Sequence, residues 1–547
     1  MSLWNSLVEP VDPEAYFDTV QDGKFIRRTW RDVVESAEGI AASLSARGVE
    51  PGTRLAAVLD NSYASASFVL GAWWSGAVLM SFPTPSRGVS IEEYLAQLLD
   101  LRKTSSATAL VVSDDVVGAL RAAVAESSSA TDVFGFAELM SDEECSPRFA
   151  GDDEMVFVQY SSGSTSAPKG CVLTPRAIAA QLSLIADRIG PDRLGSRQYS
   201  WLPLSHDMGL FGGFLWPWAT GISLTLSSPA RFLRAPYTWM EECADRGVEY
   251  TVGPNFGLSI ALRAVRRRGL SGRLALKHWI VGSDVVEHRL LNEALELLGP
   301  MGLRPDVFRP AYGMAEATLA VNMSPPGSML TGIDISLDGL YDGIVREPAD
   351  GEASTRLVGC GPPMADTRVW IDGTADVGEI LVSSPSLASG YLDDPERTAA
   401  AFSEPGVLRT GDLGFVSDGE LYVVGREDDM VTVGGRNVYT GLVEKTLGDD
   451  PRLRSGSCAL VDLRRGDGNS LVIVAEPASA EIDFESTARE LGARATSDSG
   501  LSITECIFVP RGSLPKSPSG KIQRFKCRAV AAGDHTDSTV RVKVGRR

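Results

Sequence analysis

The sequence predicts an α/β protein with a large N-terminal domain, residues 1–427, and a smaller α+β C-terminal domain, residues 428–547. Three observations carry this. Short apolar runs alternate with helical segments from residue 30 to residue 124. A loop rich in Ser and Gly lies between two strand-like runs at 155–174. The stretch Gly425-Arg426-Glu427-Asp428-Asp429 ends a strand in a charged turn, and about 120 residues follow it, enough to fold alone. A chain of 547 residues is also too long for one compact core.

In order, residues 30–47 read as a helix that stops at Gly48, and Pro51-Gly52 turns the chain. A strand at 55–59, a helix at 64–74 and a strand at 78–82 follow. Next come a helix at 91–101, a strand at 109–112 and a helix at 116–124. Such alternation implies βαβ units and a parallel sheet covered by helices on both faces. The most apolar segment, 64–82, is interrupted by Ser65, Ser67, Gly71, Ser75 and Gly76, so it reads as a buried helix and strand rather than a membrane span. Residues 176–189 suit a helix, 378–391 short strands, and the tail beyond Ala532 a mobile end.

Composition narrows the function. Hydrophobic content of 44% and charged content of 22% suit a soluble globular protein. A formal net charge of −19 repels nucleic acid and anionic membrane, though a local basic site for an anionic ligand remains open. Seven scattered cysteines without a C-x-x-C pair read as reduced thiols of a cytoplasmic protein. Four histidines, without metal-ligand spacing, give no support for zinc. The start, Met-Ser-Leu-Trp-Asn-Ser, lacks the pattern of a signal peptide.

The chemistry centres on the loop Ser161-Ser162-Gly163-Ser164-Thr165-Ser166, closed by Lys169 and Gly170. Small hydroxyl residues and glycine let backbone N–H groups approach a polyanion, and the lysine adds a positive charge. The plainer alternative is a Ser/Gly surface turn. It is not a Walker A loop, because Lys169 precedes Gly170 and Cys171 follows. His206-Asp207, followed by glycine-interleaved aromatics, reads as a loop opening into a helix beside an apolar cavity; such a pair also simply caps helices.

Gly282-Ser283-Asp284 ends a strand in a polar loop, and Tyr312-Gly313-Met314-Ala315-Glu316 opens a helical segment. Tyr312 can stack on a base or sit in the core, and Glu316 can bind magnesium or be solvated. Leu408 to Gly414 reads as a tight turn presenting Asp412, whose carboxylate can accept both hydroxyls of a ribose. Near the end, Ser519-Gly520-Lys521 presents a lysine in basic company.

Taken in order, these stretches resemble the adenylate-forming superfamily, which includes acyl-CoA synthetases, peptide-synthetase adenylation domains and luciferases. Within it the chain is most similar to fatty acyl-AMP ligases. The motifs nearest that subfamily run from Trp201 through His206-Asp207-Met208-Gly209-Leu210, from Tyr312 to Leu319, and from Gly435 to Tyr439. Residues 322–356 sit where the subfamily carries an insertion.

The resemblance implies parallel sheets, a small β subdomain and a mobile C-terminal lid that swings about Asp428. It implies ATP and Mg2+ as cofactors and a carboxylic acid substrate. The acceptor is an acyl carrier protein or CoA. By it, Lys521 bridges the attacking carboxylate and the α-phosphate, and the loop Ser161 to Lys169 holds the β- and γ-phosphates. Ser283, Asp284, Tyr312, Gly313, Asp412 and Arg426 hold adenine and ribose, and Glu316 binds magnesium. His206, Asp207, Gly209, Gly212 and Gly213 border the acyl pocket, the glycines leaving room for a chain.

The implied activity is ATP-dependent formation of an acyl-adenylate with release of pyrophosphate, followed by transfer to a carrier's phosphopantetheine thiol. Some positions depart from the subfamily. Asp428, Ser205 and Thr440 stand where Lys, Tyr and Pro are usual, and Ser283-Asp284 replaces a small residue and Glu. An Asp hinge is common among CoA-forming relatives, so an acyl-CoA ligase is the alternative. A relative that only binds adenylates is the reading from another class; Lys169, Glu316, Asp412 and Lys521 are all present and argue against it. No Gly-x-Ser-x-Gly elbow points to a serine hydrolase.

Overall fold

The structure, a computed structural model, describes all residues except 1, 86–88, 127–130, 162–167, 192, 434–435, 466–467, 501, 518–520, 534–538 and 545–547. Two large sheets with parallel interiors organise residues up to 323, as the alternating pattern predicts. The first orders its strands Gly390–Tyr391, Lys169–Leu173, Phe157–Ser161, Val78–Ser81, Arg54–Ala57, Ala109–Val112 and Asp132–Gly135. The second runs from Ala320–Met323 through Phe308–Gly313, His278–Val281, Tyr250–Gly253, Arg197–Ser200 and Ser223–Leu226 to the hairpin Tyr16–Gln21 and Lys24–Thr29. Most neighbours in both sheets are parallel; the antiparallel pairs are at their ends, Gly390–Tyr391 with Lys169–Leu173 and Lys169–Leu173 with Phe157–Ser161 in the first, and Ala320–Met323 with Phe308–Gly313 and the hairpin Tyr16–Gln21 with Lys24–Thr29 in the second.

Local chemistry sets the helices between them. Thr29 and Asp32 form a capping box that starts the helix Trp30–Ala46, satisfying backbone donors that have no partner within the helix. The helix Tyr63–Trp74 is buried on nearly every side and packs Gly71 against Ile40, where an added Cβ would come within 2.8 Å of the Ile40 Cβ. Its 12 residues are too few to cross a bilayer, and no helix among the described residues is long and apolar enough to do so. One apolar cluster includes Leu55 and Leu79 of the first sheet, Leu224 and Leu226 of the second, and residues of both helices. It therefore fills the space between the sheets. Trp30 and Trp218 stack there with ring centroids 5.4 Å apart.

A buried polar cluster braces the second sheet at its strand starts. The His278 ring stacks on Tyr250 at 4.8 Å, and Arg309 Nε donates to its Nδ1 at 3.3 Å. Burial, helped by Arg309 and Lys277, pulls the His278 pKa down from 6.5 to about 4. The neutral ring thus stabilises the fold in full above pH 6.5, and this contribution, about 3 kcal/mol at most, is lost as pH falls toward 4. Thermal unfolding should therefore fall more steeply between pH 7 and pH 4.5 in the native chain than in His278→Gln, which keeps an acceptor for Arg309 but cannot titrate. Parallel curves would remove His278 from the acid response.

A third, four-stranded antiparallel sheet orders Arg368–Ile371, Gly378–Ser383, Leu408–Ser417 and Glu420–Arg426. After it, Glu427–Asp429 forms a single 3-10 turn in which Asp428 is exposed. The remaining chain builds the ribbon Met430–Val433 with Arg436–Tyr439, the helices Thr440–Gly448, Phe484–Ser499 and Arg524–Ala532, and a sheet of four strands.

The last of those strands corrects one expectation. The tail expected to be mobile contains Val540–Lys543, which pairs antiparallel with Ile503–Phe508. Alternating Val540, Val542 and Val544 explain it: Val542 and Val544 pack on the core of the C-terminal part, and Val544 closes on Gly492, where a Cβ would lie 2.4 Å from its Cγ1.

Residues 332–358 connect the two parts. Gly332–Ser336 pairs antiparallel with Ser354–Val358, and the short helix Leu337–Tyr341 lies between them. Ile335, Leu337, Leu340 and Tyr341 share one buried cluster with Val438, Tyr439, Leu442 and Val443 beyond the turn. Arg436 reaches back from the ribbon to Asp338 at 2.7 Å and Asp342 at 3.0 Å.

Candidate active site

The site forms where the carboxyl ends of strands from both large sheets meet the third sheet. Phe157–Ser161 and Lys169–Leu173 are antiparallel neighbours in register Ser161↔Lys169. Ser162, Gly163, Ser164 and Thr165 lie outside the described residues. Lys169 projects its ammonium over the Tyr391 ring, 5.4 Å from the centroid.

Phe308–Gly313 was expected to lead into a helix at Tyr312. It is instead a strand, followed by the 3-10 turn Ala315–Ala317 that carries Glu316. Gly313 cannot be replaced without moving the backbone, because a Cβ there would sit 1.7 Å from the Leu319 carbonyl oxygen. The reading of 408–414 as a tight turn also needs correction. Asp412 lies inside the strand Leu408–Ser417, directly opposite Arg426. The turn-like signal came from Gly411, whose φ of +68° kinks the strand where Thr410 Oγ1 accepts from the Asp412 N–H.

Two side chains orient the Asp412 carboxylate. The Tyr312 hydroxyl donates to its Oδ2 at 2.8 Å and Arg426 Nε to its Oδ1 at 2.8 Å. Burial, reinforced by the Asp412 charge, raises the Tyr312 phenol well above its ordinary range, so it stays a donor. Arg426 is raised chiefly by Asp412 and, further off, by Glu316, which puts all three charges in one neighbourhood. Each carboxylate oxygen of Asp412 keeps a lone pair for a ligand hydroxyl.

Glu316 is held on two levels. Its backbone oxygen accepts from Ala388 N at 2.8 Å, and Oε1 accepts from the Tyr391 hydroxyl at 2.7 Å. Burial and the Glu316 charge push the Tyr391 phenol up as well, leaving it a permanent donor. Tyr391 appears in the sequence reading only as the end of a strand; the small residues Ala388, Ser389 and Gly390 before it were the available signal of a tightly packed strap.

Asp207 caps the helix Met208–Leu215, a π-helix, and accepts from Met208 N at 2.6 Å. His206 Nδ1 lies 2.6 Å from its Oδ1. Burial works against the Asp207 charge, but His206, Lys521 and the Met208 N–H outweigh it and hold the carboxyl below the ordinary range. Lys521 of the C-terminal part is thus close to a residue of the N-terminal part. Its backbone is fixed by Ser517, whose N–H donates to the Lys521 carbonyl at 2.8 Å and whose hydroxyl accepts from the Lys521 N–H at 3.1 Å.

The glycines expected to leave space for a chain do something else. A Cβ on Gly209 would meet the Pro203 carbonyl oxygen at 2.1 Å, and one on Gly213 the Ser200 hydroxyl at 2.8 Å, so protein fills both places. Gly212 faces Leu319 Cδ2, which a Cβ would approach to 3.1 Å. These glycines let the π-helix press against neighbouring chain.

Ser283 has a φ of +77°, and its hydroxyl is buried without a hydrogen-bond partner among the described residues. Asp284 is exposed, and its charge helps hold Arg524 protonated across the boundary between the two parts. Burial opposes the Arg524 charge, which Glu444 at 2.5 Å and Asp429 at 2.6 Å sustain.

Charged and phenolic groups from separate segments thus meet in one neighbourhood: Tyr312, Asp412 and Arg426 near Glu316, and Glu316 with Tyr391 and Lys169. The family description "AMP-binding enzyme" matches residues 5–392, and the chain belongs to that family. It is 31% identical to the long-chain-fatty-acid–AMP ligase FadD26 of Mycobacterium marinum, over 94% of this chain and 92% of that protein. It is 32% identical to the medium-chain-fatty-acid–[acyl-carrier-protein] ligase JamA of Moorena producens, over 69% of this chain and 67% of that protein. A structure from studies of fatty acyl-adenylate ligases from E. coli and L. pneumophila superimposes with a TM-score of 0.89 at 25% identity, covering 97% of this chain and 99% of that one.

Proposed function

We propose that the chain activates a fatty or other hydrophobic carboxylic acid with ATP and passes the acyl group to the phosphopantetheine thiol of a carrier protein. A carboxylate oxygen attacks the α-phosphate, the bond to the β-phosphate breaks, and an acyl-adenylate and pyrophosphate result. The thiol then attacks the acyl carbon, forming a thioester and releasing AMP. The observation that carries this reading is the hydrogen-bonded set Tyr312, Asp412 and Arg426, near a Glu316 held by Tyr391, in a chain of the AMP-binding enzyme family.

Both reactants are anions, so the protein's work is to hold them and offset charge. Asp412, oriented by Tyr312 and Arg426, accepts the ribose hydroxyls. Lys169 meets the terminal phosphates, and Lys521 spans the carboxylate and the α-phosphate. Asp207, charged in this arrangement, steers the Lys521 ammonium.

The residues fit Mg2+. Among the described residues no group of three or more His, Cys, Asp or Glu could hold a metal by itself. Glu316 has one oxygen committed to Tyr391 and one left over. A single carboxylate completed by phosphate oxygens is how Mg2+ is commonly bound beside nucleotides. When bound, the ion would neutralise phosphate charge.

The carrier thiol as acceptor is supported by the likeness to JamA, a medium-chain-fatty-acid–[acyl-carrier-protein] ligase. ATP–pyrophosphate exchange across straight-chain, branched, aromatic and polycyclic acids tests the first step. Acid-dependent exchange is expected, followed by faster thioester formation with a phosphopantetheinylated carrier than with CoA. Faster transfer to CoA would replace the carrier with CoA, and folded, ATP-binding protein that exchanges with none of the acids would count against activation of this class.

A further inference from the structure

Glu316 projects from a single 3-10 turn, an element too short to fix a long side chain by itself. Residues 386–391 hold it from outside. Ala388 N donates to the Glu316 backbone oxygen at 2.8 Å, and Thr318 Oγ1 donates to the Ser386 carbonyl at 2.7 Å. Thr318 has a φ of +67°, a strained setting for a β-branched residue, which such contacts sustain.

Tyr391 is itself immobilised. Its strand pairs Tyr391↔Cys171, its N–H donates to Thr398 Oγ1 at 2.9 Å, and its ring meets Phe402 edge-on at 6.3 Å. From this rigid seat the hydroxyl reaches Glu316 Oε1 while the ring face lies beneath the Lys169 ammonium. One side chain therefore sets both a carboxylate and an ammonium on the phosphate side of the cleft.

We infer that Tyr391 is a positioning residue that occupies Oε1 of Glu316 and thereby presents Oε2 alone to a divalent cation carried by the nucleotide. The inference rests on the reading of Glu316 as the metal-facing carboxylate. Without the hydroxyl, Glu316 gains rotational freedom, and a carboxylate that must be reoriented binds the ion less tightly. The ring remains, so Lys169 keeps its seat.

The test is Mn2+ affinity measured by electron paramagnetic resonance on the full chain with a non-hydrolysable ATP analogue, for the native protein, Tyr391→Phe and Glu316→Gln. Tyr391→Phe should raise the Mn2+ Kd of the nucleotide complex about 10-fold, and leave metal-free analogue affinity within about twofold, a split that loss of packing would not produce. Excess Mg2+ should restore part of its exchange rate. If Glu316→Gln weakens Mn2+ and Tyr391→Phe does not, the role of Tyr391 is overturned while the reading of Glu316 stands. If neither weakens Mn2+, the reading of Glu316 falls and the inference with it.

Discussion

Lys521→Ala should slow acid-dependent ATP–pyrophosphate exchange by about 100- to 1,000-fold, the loss typical of removing one preorganised group that meets charge in a transition state. The lysine is exposed on a loop of the C-terminal part, with Asp207 in electrostatic reach. Its backbone is clamped by Ser517, so truncation removes the ammonium without unravelling the loop. ATP affinity should change little, because Asp412, Arg426 and Lys169 all lie in the N-terminal part. Thiol transfer from a supplied acyl-adenylate should persist, since by then the phosphate chemistry is finished. Exchange kinetics and single-turnover transfer check the two halves separately. Unchanged exchange would remove Lys521 from adenylation. Lys521→Arg should recover only part of the rate, because a planar guanidinium cannot replace a compact charge at one point.

Asp412→Ala should raise the Kd for an ATP analogue by about 100-fold or more. Two hydrogen bonds from ribose hydroxyls to a charged acceptor contribute about 1.5–3 kcal/mol each. The change also leaves the Tyr312 hydroxyl without its partner and Arg426 without its nearest countercharge, so thermal stability should fall too. Tyr312→Phe separates the contributions: it keeps the carboxylate and loses only one of the groups that orient it, so the Kd should rise just a few-fold. Calorimetric titration measures both. Near-native affinity in Asp412→Ala would place the ribose elsewhere.

Element types in the first sheet were legible because period and length agreed. The helices at 30–47 and 64–74 and the strands at 55–59 and 78–82 fall within a residue or two of their observed ends. The meeting of Asp412, Arg426 and Tyr312 was legible because each sits in a motif of its own. Two local conformations were misread for one reason. The stretch 408–414 read as a turn and the stretch from Tyr312 as a helix start, yet Gly411 and Gly313 each lie inside a strand, required by a kink or by close backbone approach. The tail strand was missed because its partner, Ile503–Phe508, is distant in sequence. Tyr391 was passed over for the same reason, since its bond to Glu316 spans 75 positions.

The junction at residues 332–358 bears on timing. Any rotation of the C-terminal part about Asp428 would have to separate Arg436 from Asp338 and Asp342 and draw Tyr439 and Leu442 away from Leu337 and Leu340. An acyl-adenylate is a mixed anhydride that water destroys, and a covered cleft keeps it from water. On the proposed chemistry, these contacts would hold the C-terminal part in place at rest, and an acceptor that moves it would have to contribute the binding energy that separates them.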